Sequence, residues 1–181
     1  YYCDAGPFST RPGVFNPLAA RMMSRALYPL TEASGDESFD AFAAALADLM
    51  RRLNARADPE LAHLCALAFF PWAVGAACGV SDRAFAAVRT VEDHLLIRPQ
   101  DGGEMLCVYL IEVAENTMLR AAHRVRPEVR ALTQAAGILL TVPTDVASYA
   151  HEEHQGSLES NLVHVFSEQE ECSPQDAVER T

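Results

Sequence analysis

Three oxygen-bearing side chains recur at intervals of four residues near the carboxyl-terminal end of the sequence. They are Thr144, Ser148 and Glu152, and a helix with 3.6 residues per turn would stack them on one face. Three such donors can hold a hard cation. Mg²⁺ takes oxygen ligands, and protein side chains commonly bind it together with the phosphates of a substrate. On spacing alone, a solvated helix face explains the same residues and is the simpler interpretation.

An arginine beside an interrupted helix is the second candidate. Arg98 is followed by Pro99, Asp101 and the pair Gly102 and Gly103. Proline disfavours the helical conformation of the residue before it, and glycines free the backbone, so we expect a break from Pro99 to Gly103. A planar guanidinium there could bind an anion. Without further context, an exposed arginine in an interhelical loop is the favoured alternative.

These patterns, taken in their order along the chain, resemble the bacterial class I terpene synthases. The segment that contains Thr144, Ser148 and Glu152 is similar to the Mg²⁺-binding helix motif of that family. The segment after it is similar to the stretch that follows the motif. The arginine, aspartate and glycine of the break resemble the family's diphosphate sensor, linker and effector residues. The first four residues resemble the tail of its Asp-rich motif. The matching positions are 1–4, Arg98, Asp101, Gly102, 145–152 and 161–179.

The resemblance implies an all-α fold, the class I terpenoid-synthase helical bundle with a central apolar cavity. It implies Mg²⁺-dependent ionisation of a linear prenyl diphosphate and cyclisation of the carbocation, with three ions around the diphosphate. Thr144, Ser148 and Glu152 would hold one ion, and Asp4 would lie at the edge of the Asp-rich motif. Arg98 would stabilise the charge of the leaving diphosphate.

Substrate-binding roles follow from the same resemblance. His151 stands where a basic residue often reaches the diphosphate. Phe69, Phe70 and Trp72 lie on a nearly all-apolar segment and could stabilise a carbocation through their ring faces. Ordinary core packing explains these aromatic residues equally well, and helical geometry cannot turn all three toward one pocket.

The sequence also departs from the family pattern. Thr144 stands where the family usually has Asn or Asp, and a neutral hydroxyl is a poorer cation ligand. Pro143 removes one helical hydrogen bond just before the ligand row. The leading aspartates of the Asp-rich motif and the family's terminal Arg-Tyr pair are not in the sequence. A non-catalytic helical protein that binds an apolar ligand is therefore the rival hypothesis.

Hydrophobic periodicity and capping residues predict helices almost throughout. The most regular amphipathic pattern runs over 38–56, and Asp58 with Pro59 opens a nearly all-apolar helix that we expect to be central. Gly79 is predicted to end that helix and Ser81 to cap the next one. Further helices are expected over 104–123, 129–153 and 157–170, with a capping signature at 173–176 for one more.

Composition excludes several other classes of protein. The net charge is −11 and all 14 basic residues are arginine, so general nucleic-acid binding is disfavoured. No apolar run reaches the roughly 18 residues of a membrane span. The five cysteines lack CxxC spacing, which favours reduced thiols and a cytoplasmic protein.

The length of 181 residues predicts one domain spanning 1–181. Because the sequence begins and stops within patterned segments, we expect that domain to be incomplete at both ends. A homodimer is left open.

Overall fold

In the computed structural model, residues 6–28 and 37–180 are described, and all regular structure within those ranges is helical. This confirms the predicted all-α class. The elements are α1 (Pro12–Leu27), α2 (Glu37–Asn54), α3 (Pro59–Phe85), α4 (Val91–Asp101), α5 (Glu104–Ala114), α6 (Ala121–Arg124), α7 (Pro127–Gln155), a 3-10 turn (Leu158–Ser160), α8 (Leu162–Gln169) and α9 (Pro174–Arg180).

The apolar helix α3 is the centre of the described structure. Asp58 caps its first turn by accepting a hydrogen bond from the Glu60 N–H at 2.8 Å, and Pro59 occupies the first turn. By length and composition α3 could cross a membrane, since it has 27 residues and contains an 18-residue stretch with a mean hydropathy of 1.8. Ten of its residues are nevertheless buried, and it packs against α1, α2, α4 and α5. Its place at the centre of the core therefore accounts for its apolar composition.

The predicted stop at Gly79 and cap at Ser81 are wrong, because α3 continues to Phe85. The Ser81 hydroxyl donates back to the Ala77 carbonyl at 2.9 Å, within the helix, instead of capping a new one. The helix ends at Ala86, which adopts the left-handed conformation with φ of 49°.

The interruption after Arg98 lies later than the sequence predicts. Helix α4 continues through Pro99 to Asp101, and the break falls at Gly102 and Gly103. Proline removes one hydrogen bond, but the Gly102 N–H still donates to the Arg98 carbonyl at 2.9 Å and keeps the last turn closed. Gly103 has φ of 72°, a conformation that glycine adopts without strain.

Close backbone contacts clamp this break between α3 and α7. A Cβ atom on Gly75 of α3 would lie 2.5 Å from the Asp101 backbone nitrogen. A Cβ atom on Gly102 would lie 2.5 Å from Cγ2 of Thr141 on α7. The end of α4 can therefore approach both neighbouring helices only because glycine occupies these two positions.

Two predicted helices are divided by polar contacts. The expected helix over 104–123 separates into α5 and α6, because the buried Glu112 accepts a 2.8 Å bond from the Leu119 N–H and a 2.7 Å bond from Arg124 Nη1. The expected helix over 157–170 becomes the 3-10 turn and α8, whose cap is Asn161. The predictions for α2, α7 and α9 are confirmed to within a few residues.

Replacing Gly75 with alanine should destabilise the fold. The new methyl group would meet the Asp101 backbone, and overpacking of this kind costs about 1–3 kcal/mol, more than the helix-propensity gain of about 1 kcal/mol. Gly13→Ala is the matched control, because no atom lies within 4 Å of its Cβ position. Urea unfolding should show a lower midpoint for Gly75→Ala only. Equal midpoints for the two variants would show that close packing of Gly75 against the Asp101 backbone does not limit stability.

Candidate functional site

Two of the four predicted metal ligands, Ser148 and Glu152, contact each other on α7. The Ser148 hydroxyl donates to Glu152 Oε1 at 2.6 Å, and both side chains are partly buried. Thr144 is exposed, and its hydroxyl donates to the Leu140 carbonyl at 3.1 Å. Thr144, Ser148 and Glu152 therefore share one helix face, on which only the Ser148 and Glu152 side chains are bonded to each other.

The chemistry of this donor set fits a hard cation. Among the described residues, no group of three or more His, Cys, Asp or Glu side chains could hold a metal ion. The face offers one carboxylate and two hydroxyls, a sparse oxygen set that suits Mg²⁺, which retains waters and binds phosphate oxygens as well. The remaining predicted ligand, Asp4, lies outside the described residues.

Arg98 is held beside this face by a buried carboxylate. Its Nε and Nη2 atoms lie 2.8 and 2.7 Å from Asp145 Oδ1. Its Nη1 atom lies 3.7 Å from Asp101 Oδ2. The alternative interpretation, an exposed loop arginine, is wrong, since only 16% of the Arg98 side chain is exposed. The continuation of α4 through Pro99 keeps this side chain against α7.

Asp145 is the centre of a buried polar cluster. Its Oδ2 atom accepts a 3.0 Å bond from the Leu162 N–H and lies 3.2 Å from His94 Nε2. Burial opposes ionisation of this carboxyl, but the hydrogen bonds from His94 and Arg98 outweigh it and lower its pKa below the usual range. One ionised carboxylate thus joins α4, α7 and the start of α8.

Sequence reasoning gave no site role to three residues, His94, Asp145 and Asn161, although the last two lie in stretches that resemble the family. The four-residue spacing of His94 and Arg98 on one helix could have indicated a shared face. The Asn161 side chain donates to the Asp145 carbonyl and to Glu152 Oε2, at 2.8 and 2.9 Å. No sequence pattern could have paired these residues, because Asn161 reaches α7 only through the fold.

The predicted substrate-binding residues do not form one group. Phe69 and Trp72 meet edge to face with ring centroids 6.4 Å apart, whereas Phe70 is 38% exposed. His151 is exposed on α7, and its Nε2 atom lies 2.9 Å from Gln155 Nε2.

A cavity of about 790 Å³ lies between α4, α5 and α7. Its lining includes Leu95, Met105, Tyr109 and Arg124. None of the predicted site residues lines this cavity. Phe69, Phe70 and Trp72 therefore lie outside the lining of this cavity.

Comparison with protein families identifies the family of this chain. The model of terpene synthase family 2, C-terminal metal binding, matches residues 3–181. Because the match spans nearly the whole chain, the chain belongs to this family. The resemblance to bacterial terpene synthases is confirmed.

Individual proteins similar to this chain include named bacterial synthases. The chain is 29% identical over 145 residues to a 4-epi-cubebol synthase from Streptosporangium roseum, described as (2E,6E)-farnesyl diphosphate cyclizing, covering 80% of this chain and 44% of that protein. It is 27% identical over 176 residues to a spiroviolene synthase from Streptomyces violens, covering 97% and 48%. The crystal structure of the SVS_A2 protein from ancestral sequence reconstruction superposes with a TM-score of 0.85 at 31% identity, covering 98% and 51%. The chain thus spans about half the length of these relatives.

Neighbouring residues 144 and 145 should differ sharply in their effect on stability. Asp145→Ala would leave the partly buried Arg98 without its carboxylate, which should cost about 3–5 kcal/mol of unfolding free energy. Thr144→Ala removes only an exposed hydroxyl and should change that free energy by less than about 0.5 kcal/mol. Chemical unfolding of both variants measures the contrast. Similar values for the two would show that the buried cluster does not stabilise the fold.

Proposed function

We propose that this chain provides the diphosphate-sensing residues and one metal-binding helix of a class I terpene cyclase. One observation carries the proposal. A buried carboxylate, Asp145, fixes the Arg98 guanidinium within electrostatic reach of Glu152, which is itself bonded to Ser148. A cationic donor group next to a sparse oxygen face suits a ligand that carries its own oxygens and negative charge.

Arg98 retains donors for such a ligand. Asp145 engages Nε and one Nη2 proton of a guanidinium that has five N–H groups. The other Nη2 proton and the Nη1 protons would donate to oxygens of a leaving diphosphate. When the carbon–oxygen bond breaks, its electron pair stays with the diphosphate, and these preorganised donors stabilise the added charge.

Ser148 and Glu152, with Thr144, are the residues that would hold Mg²⁺. Thr144 donates its proton to the Leu140 carbonyl, which leaves lone pairs on its oxygen for coordination. Bound Mg²⁺ would supply positive charge that neutralises the leaving diphosphate. The chain's own contribution is to fix the orientation of the Glu152 carboxylate against the Ser148 hydroxyl.

The break after α4 would connect the sensor to the substrate pocket. The Arg98 carbonyl accepts a hydrogen bond from the Gly102 N–H, and the Arg98 guanidinium lies close to the Asp101 carboxylate. A shift of the arginine toward a diphosphate would therefore move the backbone at Gly102. Cδ1 of Trp72 lies 3.8 Å from the Cβ position of Gly103, so an aromatic edge borders this backbone. We therefore assign Asp101 and Gly102 the linker and effector roles that the resemblance implies.

The proposed substrate is a linear prenyl diphosphate, with farnesyl diphosphate the first to test. One relative is named for cyclising that compound, and exclusion of water by apolar walls would protect a carbocation from hydrolysis. Incubation with Mg²⁺ and prenyl diphosphates of ten, fifteen and twenty carbons should release cyclic hydrocarbons or alcohols, detected by gas chromatography with mass spectrometry. Binding of prenyl chains without product would instead support a non-catalytic protein.

Adjacent glutamates provide a matched test of the metal-binding face. Glu152→Gln should lower kcat/KM by roughly 100-fold or more, equivalent to about 2.7 kcal/mol of transition-state stabilisation. Glu153→Gln alters an exposed side chain and should leave kcat/KM within about twofold. Steady-state kinetics at several Mg²⁺ concentrations compare them. If the Glu153 variant were the more impaired, the assigned face would be wrong.

A further inference from the structure

Asn161 is placed where it can control the orientation of Glu152. Its side chain is fully buried at the junction between the 3-10 turn and α8. The Nδ2 group donates to Glu152 Oε2 at 2.9 Å and to the Asp145 backbone carbonyl at 2.8 Å. The Oδ1 atom accepts the Val163 N–H at 3.0 Å and so caps α8.

These three contacts determine which way the amide points. A backbone N–H requires the oxygen of the amide, and a backbone carbonyl requires its nitrogen, so a flipped Asn161 would lose both bonds. The donor facing Glu152 is therefore fixed by backbone groups of α7 and α8. Each carboxylate oxygen of Glu152 then has one partner, because Oε1 accepts the Ser148 hydroxyl and Oε2 accepts Asn161.

We propose that Asn161 is a positioning residue for the metal-binding carboxylate of Glu152. The inference rests on the proposed function. Each oxygen of an ionised carboxylate has two acceptor sites, so the bonds from Ser148 and Asn161 leave a second site on each oxygen for a cation. Neutral donors also leave the carboxylate's charge uncancelled, whereas an arginine in the same place would compete with the metal ion. Loss of hydrogen bonds to a ligating side chain typically lowers metal affinity by 10–100-fold.

The direct test is Mn²⁺ binding to Asn161→Asp, followed by electron paramagnetic resonance in the presence of inorganic diphosphate. Aspartate keeps the cap on α8, since it is as good a capping residue as asparagine. It replaces the donor facing Glu152 with an oxygen, so we expect the Mn²⁺ dissociation constant to rise by about 10–100-fold. Asn161→Ser, which also keeps a capping oxygen but adds no charge, should show a rise in the same direction.

Asn54→Asp is the matched control. Asn54 also donates its amide to a backbone carbonyl, that of Met50 at 2.8 Å, but it lies at the end of α2. The same loss of an amide donor there should leave Mn²⁺ affinity unchanged. Wild-type affinity in both Asn161 variants would overturn the inference, whereas absence of Mn²⁺ binding to the wild type would overturn the proposed function.

A measurement on the wild-type protein covers the case in which both Asn161 variants fail to fold. In nuclear magnetic resonance spectra, the Asn161 side-chain amide signals should shift on addition of Mg²⁺ and diphosphate, while those of Asn54 stay in place. The shift should disappear in Glu152→Gln. If the wild-type protein binds the metal ion but the Asn161 amide signals do not shift, the positioning role is refuted.

Discussion

Burial of a single ionised carboxylate constrains the whole functional region. Asp145 is 1% exposed, and a charge removed from water in this way is tolerated only when several donors surround it. Its donors are Arg98 and the His94 ring on α4 and the Leu162 N–H at the start of α8. Three elements must therefore keep their relative positions for the carboxylate to remain satisfied. The positions of the proposed diphosphate sensor and of the proposed metal-binding face follow from that requirement.

The helix break adds a steric constraint to this electrostatic one. Gly75 and Gly102 allow the end of α4 to touch α3 on one side and α7 on the other. Protein interiors are packed too densely for such contacts to accommodate an extra methyl group without a shift of backbone. Arg98 belongs to the same short helix, so its guanidinium and the backbone at Gly102 and Gly103 should move together as one unit. That unit is what a terpene cyclase would need to link diphosphate binding to the shape of its pocket.

The proposed metal-binding face is sparse in comparison with a dedicated metal centre. Ser148 and Glu152 supply its ordered oxygens, and a threonine takes the place of the family's usual amide or acid. A site of this kind depends on the orientation of its carboxylate, because few ligands remain to compensate for a misplaced one. The buried amide of Asn161 supplies that orientation from a neighbouring element.

The sequence by itself determined the all-α class, the positions of α2, α7 and α9, and the shared face of Thr144, Ser148 and Glu152, because these depend on local periodicity and capping. It misplaced the break near Pro99, since one lost hydrogen bond does not end a helix whose last turn is closed by Gly102. Only the tertiary structure decided the roles of Asp145, His94 and Asn161. Their contacts join residues 9 to 51 positions apart, and such pairings arise from the packing of whole helices, which no local pattern specifies.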